Sequence, residues 1–177
     1  MERREIFRII AAGAVAGSQA SAQHRHEAPA PVDYATYLPR FWTAAEYEMV
    51  DLLCEIIIPG AREAQVRFFI DTILHYSDPQ TRQRWRAGLA AVEAAAQASF
   101  GKTFSGCDGS QQEAIVAGMA QHEEAPASDL ERFFGSLKRM TVEGYTLSEA
   151  GARQGLGYAG DTSLAEFPGC THLEHQK

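Results

Sequence analysis

The chain is short of positive charge. Against 23 Asp and Glu it sets 16 Lys and Arg, a formal net charge of −7 over 177 residues. Nucleic-acid binding needs clustered basic charge, so that class of partner is excluded. Long apolar runs are missing too. The best candidate, Ile9 to Ala16, falls well below the ~20 residues that span a bilayer, and it is rich in Ala and Gly. No stretch alternates apolar and polar residues with the two-residue period of a strand. The motifs of several chemistries are also lacking. There is no Gly-x-Ser-x-Gly, no His-Glu-x-x-His, no phosphate loop and no Cys-x-x-Cys-His. No Glu-x-x-His pair occurs, which the di-iron sites of helical bundles require. From these absences the chain is not expected to be an enzyme by itself.

What is present begins at Arg3-Arg4, ahead of the weakly apolar segment, with Ala20-Ser21-Ala22 offering a peptidase site. This reads as a twin-arginine leader over residues 1–22, the signal of a route that carries folded proteins, often with a cofactor bound. An ordinary secretory signal with a chance arginine pair is the alternative, and either predicts export to the periplasm. Its removal takes Arg3, Arg4, Arg8, Glu2 and Glu5, which moves the formal charge from −7 to −8. Residues 23–40 carry Pro29, Pro31 and Pro39 and read as an extended, mobile arm, with His24 and His26 incidental.

From Thr43 the pattern turns helical. Thr43 and Glu46 form a capping box before Met49, Leu52, Leu53, Ile56 and Ile57, and Pro59-Gly60 ends that helix. Val66, Phe69, Ile70, Ile73 and Leu74 mark a second helix. Asp78-Pro79 opens a third, carrying Trp85, Leu89, Val92 and Phe100 up to Gly101. Ser110/Glu113 and Ser128/Glu131 read as two further capping boxes. The expectation is an all-α domain of about five helices over 41–150, followed by an extended irregular tail, 151–177, with five glycines.

Other features carry less. Gly155-Leu156-Gly157-Tyr158-Ala159-Gly160 matches the dinucleotide fingerprint, but no strand precedes it, so the glycines read as turn formers. Asp51 and Glu55 fall off the apolar stripe and read as a solvated face. His75 and His122 sit near helix ends without a visible partner. Cys170, His172 and His175 could ligate zinc, but their spacing fits no known finger.

The segments CEIIIPG, FFIDTIL, GLAAVEAAAQASFGKTF, LKRMTVEGYTLSEAG, LGYAG and FPGCTHLEHQ together resemble the gluconate 2-dehydrogenase subunit 3 family, from about Phe41 to His175. FPGCTH after LGYAG is the most specific part. The chain departs in a shorter loop at Pro59-Gly60-Ala61 and in Leu173, where Pro is common. The resemblance implies the small, non-catalytic subunit of a flavin-dependent, membrane-associated sugar or sugar-acid dehydrogenase. It implies no cofactor in this chain, FAD in a catalytic partner of the glucose-methanol-choline type, and haem c in a possible membrane-bound cytochrome partner. The leader would then export the loaded partner with it. A free-standing periplasmic helical protein that binds a ligand or a metal is the alternative.

On this reading the tail meets the partner, with Tyr145, Tyr158 and Phe167 as aromatic anchors beside Pro168, Gly169, Cys170, His172 and His175. Of the three cysteines, Cys54 reads as a buried small hydrophobe. Cys170 is expected to bond a cysteine of the partner; a Cys107–Cys170 bridge or a free thiol are the other possibilities.

Overall fold

The computed structural model describes residues 33–157, and the helical unit begins at Tyr34. Among these residues six α-helices follow one another: α1 (Ala44–Ile57), α2 (Val66–Tyr76), α3 (Pro79–Phe100), α4 (Gly109–Met119), α5 (Asp129–Leu147) and α6 (Glu149–Gly155). A 3-10 turn, Phe104–Gly106, joins α3 to α4. Among the described residues there is no strand, as the all-α expectation requires. The sixth helix is an addition, because the irregular tail was expected from residue 151.

The helix boundaries follow local chemistry. Thr43 and Glu46 form the reciprocal box at α1, and Ser128 and Glu131 form that of α5. Asp78 caps α3, Pro79 takes its first position, and Gly101 ends it with a φ of 65°. The fourth helix corrects the reading. Its box is Asp108 with Gln111, two residues before Ser110 and Glu113. Asp ranks with Ser as a cap, and the earlier start leaves Ser110 Oγ to bond the Asp108 carboxylate at 2.7 Å.

The core is built from α1 (Val50, Leu53), α2 (Val66, Ile70, Leu74), α3 (Leu89, Val92), Phe104, and α5 (Leu137), each at most 2% exposed. Burying a side chain of this kind contributes about 1.5–3 kcal/mol. Helix α5 packs against all five other helices. Its crossing with α3 is close because residue 88 is glycine: a Cβ there would lie 2.1 Å from Cδ2 of Phe133.

Residues ahead of α1 also join the structure: Phe41 and Trp42 lie within the expected domain, and Tyr37 and Arg40, at the end of the expected arm, bond to α2. Phe41 and Trp42 are buried, Trp42 packs on Trp85 and Trp85 on Phe133, with ring centroids 6.3 and 5.4 Å apart. They are held there by Asp71 of α2, whose side chain is fully buried. Its Oδ1 accepts the backbone N–H groups of Phe41 and Trp42 at 3.0 and 3.1 Å. Oδ2 accepts the N–H of Arg40 at 2.9 Å and the Tyr37 hydroxyl at 2.5 Å. Burial, and then this bond to a carboxylate, push the Tyr37 hydroxyl up to about 12.

The pair Asp51 and Glu55 is likewise no solvated face. Asp51 is 1% exposed; its Oδ2 accepts from Arg62 Nε at 2.6 Å, and its Oδ1 lies 3.5 Å from Arg67 Nε. Glu55 accepts the N–H groups of Gly60 and Arg62. Both carboxylates organise the loop between α1 and α2, where Gly60 takes a φ of 94°. The chemistry was hidden because most of the donors come from that loop and not from the helix that carries the acids.

Two outcomes are expected. Asp71→Ala strands three backbone donors and should cost about 3–5 kcal/mol in urea unfolding, against about 1–2 kcal/mol for Tyr37→Phe; equal costs would mean that the backbone bonds do not matter. The second concerns acid. Glu131 accepts from His122 Nδ1 at 2.7 Å and from the N–H groups of Ser128 and Ala127, which lower its carboxyl from 4.5 to about 2. A depressed carboxyl stabilises the fold fully above its unfolded value and loses that contribution as pH falls from 4.5 through about 2. Stability should therefore decline across that window, and Glu131→Gln should flatten the decline; an unchanged slope would sink the assignment.

Candidate partner interface

Of the residues expected to meet a partner, only Tyr145 lies among those described. Tyr158, Phe167, Pro168, Gly169, Cys170, His172 and His175 lie outside them, as do Arg3 and Arg4. Tyr145 is half-buried against the core. A methyl group at Gly60 or Gly155 would lie 3.7 or 3.3 Å from its ring, so the ring fills the space between the α1–α2 loop and α6.

Helix α6 is turned back on the end of α5 at one residue. Ser148 closes α5 and caps α6: its Oγ donates to the Tyr145 carbonyl at 2.7 Å and accepts the Gly151 N–H at 2.9 Å. Gly151 is buried there, and a Cβ on it would sit 1.8 Å from the Tyr145 carbonyl oxygen. Only glycine allows this approach. The described half of the Gly-x-Gly-x-x-Gly string therefore ends a helix at Gly155 and turns at Gly157, with a φ of 65°. A pyrophosphate cradle needs a helix to begin there.

Cys54 is buried and accepts a bond from Thr141 Oγ1 at 3.3 Å, and burial pushes its thiol up to about 12. Its reading as a small core hydrophobe stands. Cys107, in the loop between the 3-10 turn and α4, is a free thiol and is buried. Any bond from Cys170 would have to reach it there. Among the described residues no three His, Cys, Asp or Glu side chains gather to hold a metal ion. No described helix is long and apolar enough to cross a membrane.

The described basic side chains are sorted by the fold. Arg62, Arg67, Arg132, Lys138, Arg139 and Arg153 each hold a carboxylate within 4.0 Å. Lys102 bonds the Gln111 side chain instead. Arg40, Arg82, Arg84 and Arg86 form no ion pair among the described residues. These four flank the first half of α3. On one side Arg40, Arg82 and Arg86 line a cleft of about 390 Å³ with Phe41, Pro79 and Gln83. Arg86 is fixed in it, donating from Nη2 to the Phe41 carbonyl at 2.9 Å with its guanidinium 4.9 Å from the Phe41 ring centre. On the other side Arg84 joins Arg132 and Arg139 around a cleft of about 670 Å³ between α3 and α5, with Trp85 and Phe133 also lining it. Asp129 is the only acidic residue on either lining among the described residues. The sequence signal was the spacing Arg82-x-Arg84-x-Arg86.

A family model described as gluconate 2-dehydrogenase subunit 3 matches residues 44–169. No curated protein and no solved structure matches the chain.

The seam at Ser148 has a test in the sign of a stability change. Gly135 in α5 has open space around its Cα, so Gly135→Ala should stabilise by about 0.5–1 kcal/mol through the unfolded chain. Gly151→Ala should instead destabilise by about 1–3 kcal/mol, since a carbonyl occupies the place of the methyl. If both variants stabilise in thermal unfolding, the close contact is wrong.

Proposed function

The chain belongs to the gluconate 2-dehydrogenase subunit 3 family, and from that premise we propose that it is the non-catalytic small subunit of a periplasmic, flavin-dependent dehydrogenase complex. The catalytic partner is an FAD-containing subunit of the glucose-methanol-choline type that oxidises a sugar or sugar acid. Where a membrane-bound cytochrome c subunit is also present, its haem c passes the electrons on. The small subunit binds the flavoprotein as it folds in the cytoplasm, stabilises it, and takes it through the twin-arginine route on the leader that holds Arg3 and Arg4.

The single observation that carries this reading is the family match, which runs from α1 past the last described residue. Two physical points support it. A route that accepts folded cargo suits a protein whose partner must load a cofactor first. A tail with five glycines and little apolar periodicity gains order by lying on another surface, and pays that ordering on binding. Tyr158 and Phe167 are its anchors, and Tyr145 sets the position from which it leaves.

Replacing Arg3 and Arg4 by Lys should leave this chain and the flavoprotein together in the cytoplasm, with dehydrogenase activity lost from the periplasmic fraction. If the flavoprotein still reaches the periplasm while this chain does not, the two are exported independently and the companion role is wrong.

A further inference from the structure

The arginine face of α3 is the feature that the fold leaves unused. In a chain of net charge −7, cations should find acids easily, and six of the described ones do. Arg40, Arg82, Arg84 and Arg86 find none among the described residues. Arg82 and Arg86 stand four apart on one helix, where like charges destabilise it. No acidic residue among those described lines the cleft they share with Arg40. The grouping therefore works against the stability of the free chain.

We propose that this face docks an acidic segment of the flavoprotein partner, laid across α3 with carboxylates in both clefts. The inference rests on the subunit reading and names the surface and the chemistry of the contact. Three observations choose this occupant. First, the four cations of this face are all arginines, whose planar fork binds carboxylates through two parallel hydrogen bonds, and Arg86 is already held in place by Phe41. Second, the charge lies on both flanks of α3, Arg82 and Arg86 in one cleft and Arg84 in the other, so a single small anion would satisfy only part of it. Third, a membrane surface is a poor fit. Binding to anionic lipid pairs basic residues with exposed apolar ones, and none of the exposed large apolar side chains, from Tyr34 to Leu156, lines either cleft. Aromatic side chains line both clefts, Phe41 in one, Trp85 and Phe133 in the other, as interfaces to proteins favour.

The test uses the full chain with the flavoprotein that co-purifies with it. Binding of the purified pair is measured for the wild type, for Arg82→Glu/Arg86→Glu and for Arg82→Lys/Arg86→Lys, at low and high salt. Charge reversal should weaken the complex by about tenfold or more, mostly through slower association, and should abolish most of its salt dependence. The Lys pair should fall between. Circular dichroism and thermal unfolding establish that each variant is folded; Arg82→Gln/Arg86→Gln replaces the Glu pair if that variant is not. Affinity and salt dependence unchanged by charge reversal overturn the inference while leaving the subunit reading intact. Absence of any flavoprotein with the wild-type chain overturns both. Loss of binding to phosphatidylglycerol vesicles, with flavoprotein affinity retained, overturns it in favour of a lipid surface.

Discussion

A single carboxylate decides where this domain begins. Asp71 sits in the middle of α2 with no solvent contact, and it is stable there because four donors converge on its two oxygens. Three are backbone N–H groups of consecutive residues that precede the first helix. Removing the charge from water is costly unless the lone pairs are filled, and here they are. The exchange ties residues 37–42 to α2 and so delivers Phe41 and Trp42 to the core. Through them it also sets Arg40 and the acceptor of Arg86 beside α3. The arginine face thus depends on bonds made by the neighbouring helix.

The second constraint is the reach of α5. One helix in contact with every other must approach several of them closely, and the chain meets that need with glycine. At residue 88 the α3 backbone takes the Phe133 ring, at residue 144 the α5 backbone takes Phe69, and at residue 151 the start of α6 rests on the Tyr145 carbonyl. Each position substitutes backbone proximity for side-chain bulk. The tight spots are therefore specified by what is missing from the side chain, and they are hard to see in composition alone.

Range along the chain explains what was legible in the residues and what was not. Capping residues and apolar stripes act within one helix, and there the reading succeeded: Thr43, Asp78, Gly101 and Ser128 are where they were expected. Asp108 displaced Ser110 because two good caps competed within one loop. Asp51, Glu55 and Asp71 were invisible as structural acids since their donors come from other segments, although Asp71 within FFIDTIL was an acid in an apolar run. The arginine face was written in the string from Arg82 to Arg86, but that these arginines find no ion-pair partner among the described residues is a property of the fold. Helix α6 was missed because glycines at residues 151 and 155 disguise a short helix as a loop. The tail anchors, Tyr145 excepted, lie outside the described residues.

The joint at Ser148 leaves no slack between α5 and α6. One residue is the end of one helix and the cap of the next, and its hydroxyl is bonded in both directions. The last described helix is therefore joined directly to the helix that touches every other one among the described residues. Its position is fixed by bonds within residues 145–151, not by a flexible linker of several residues.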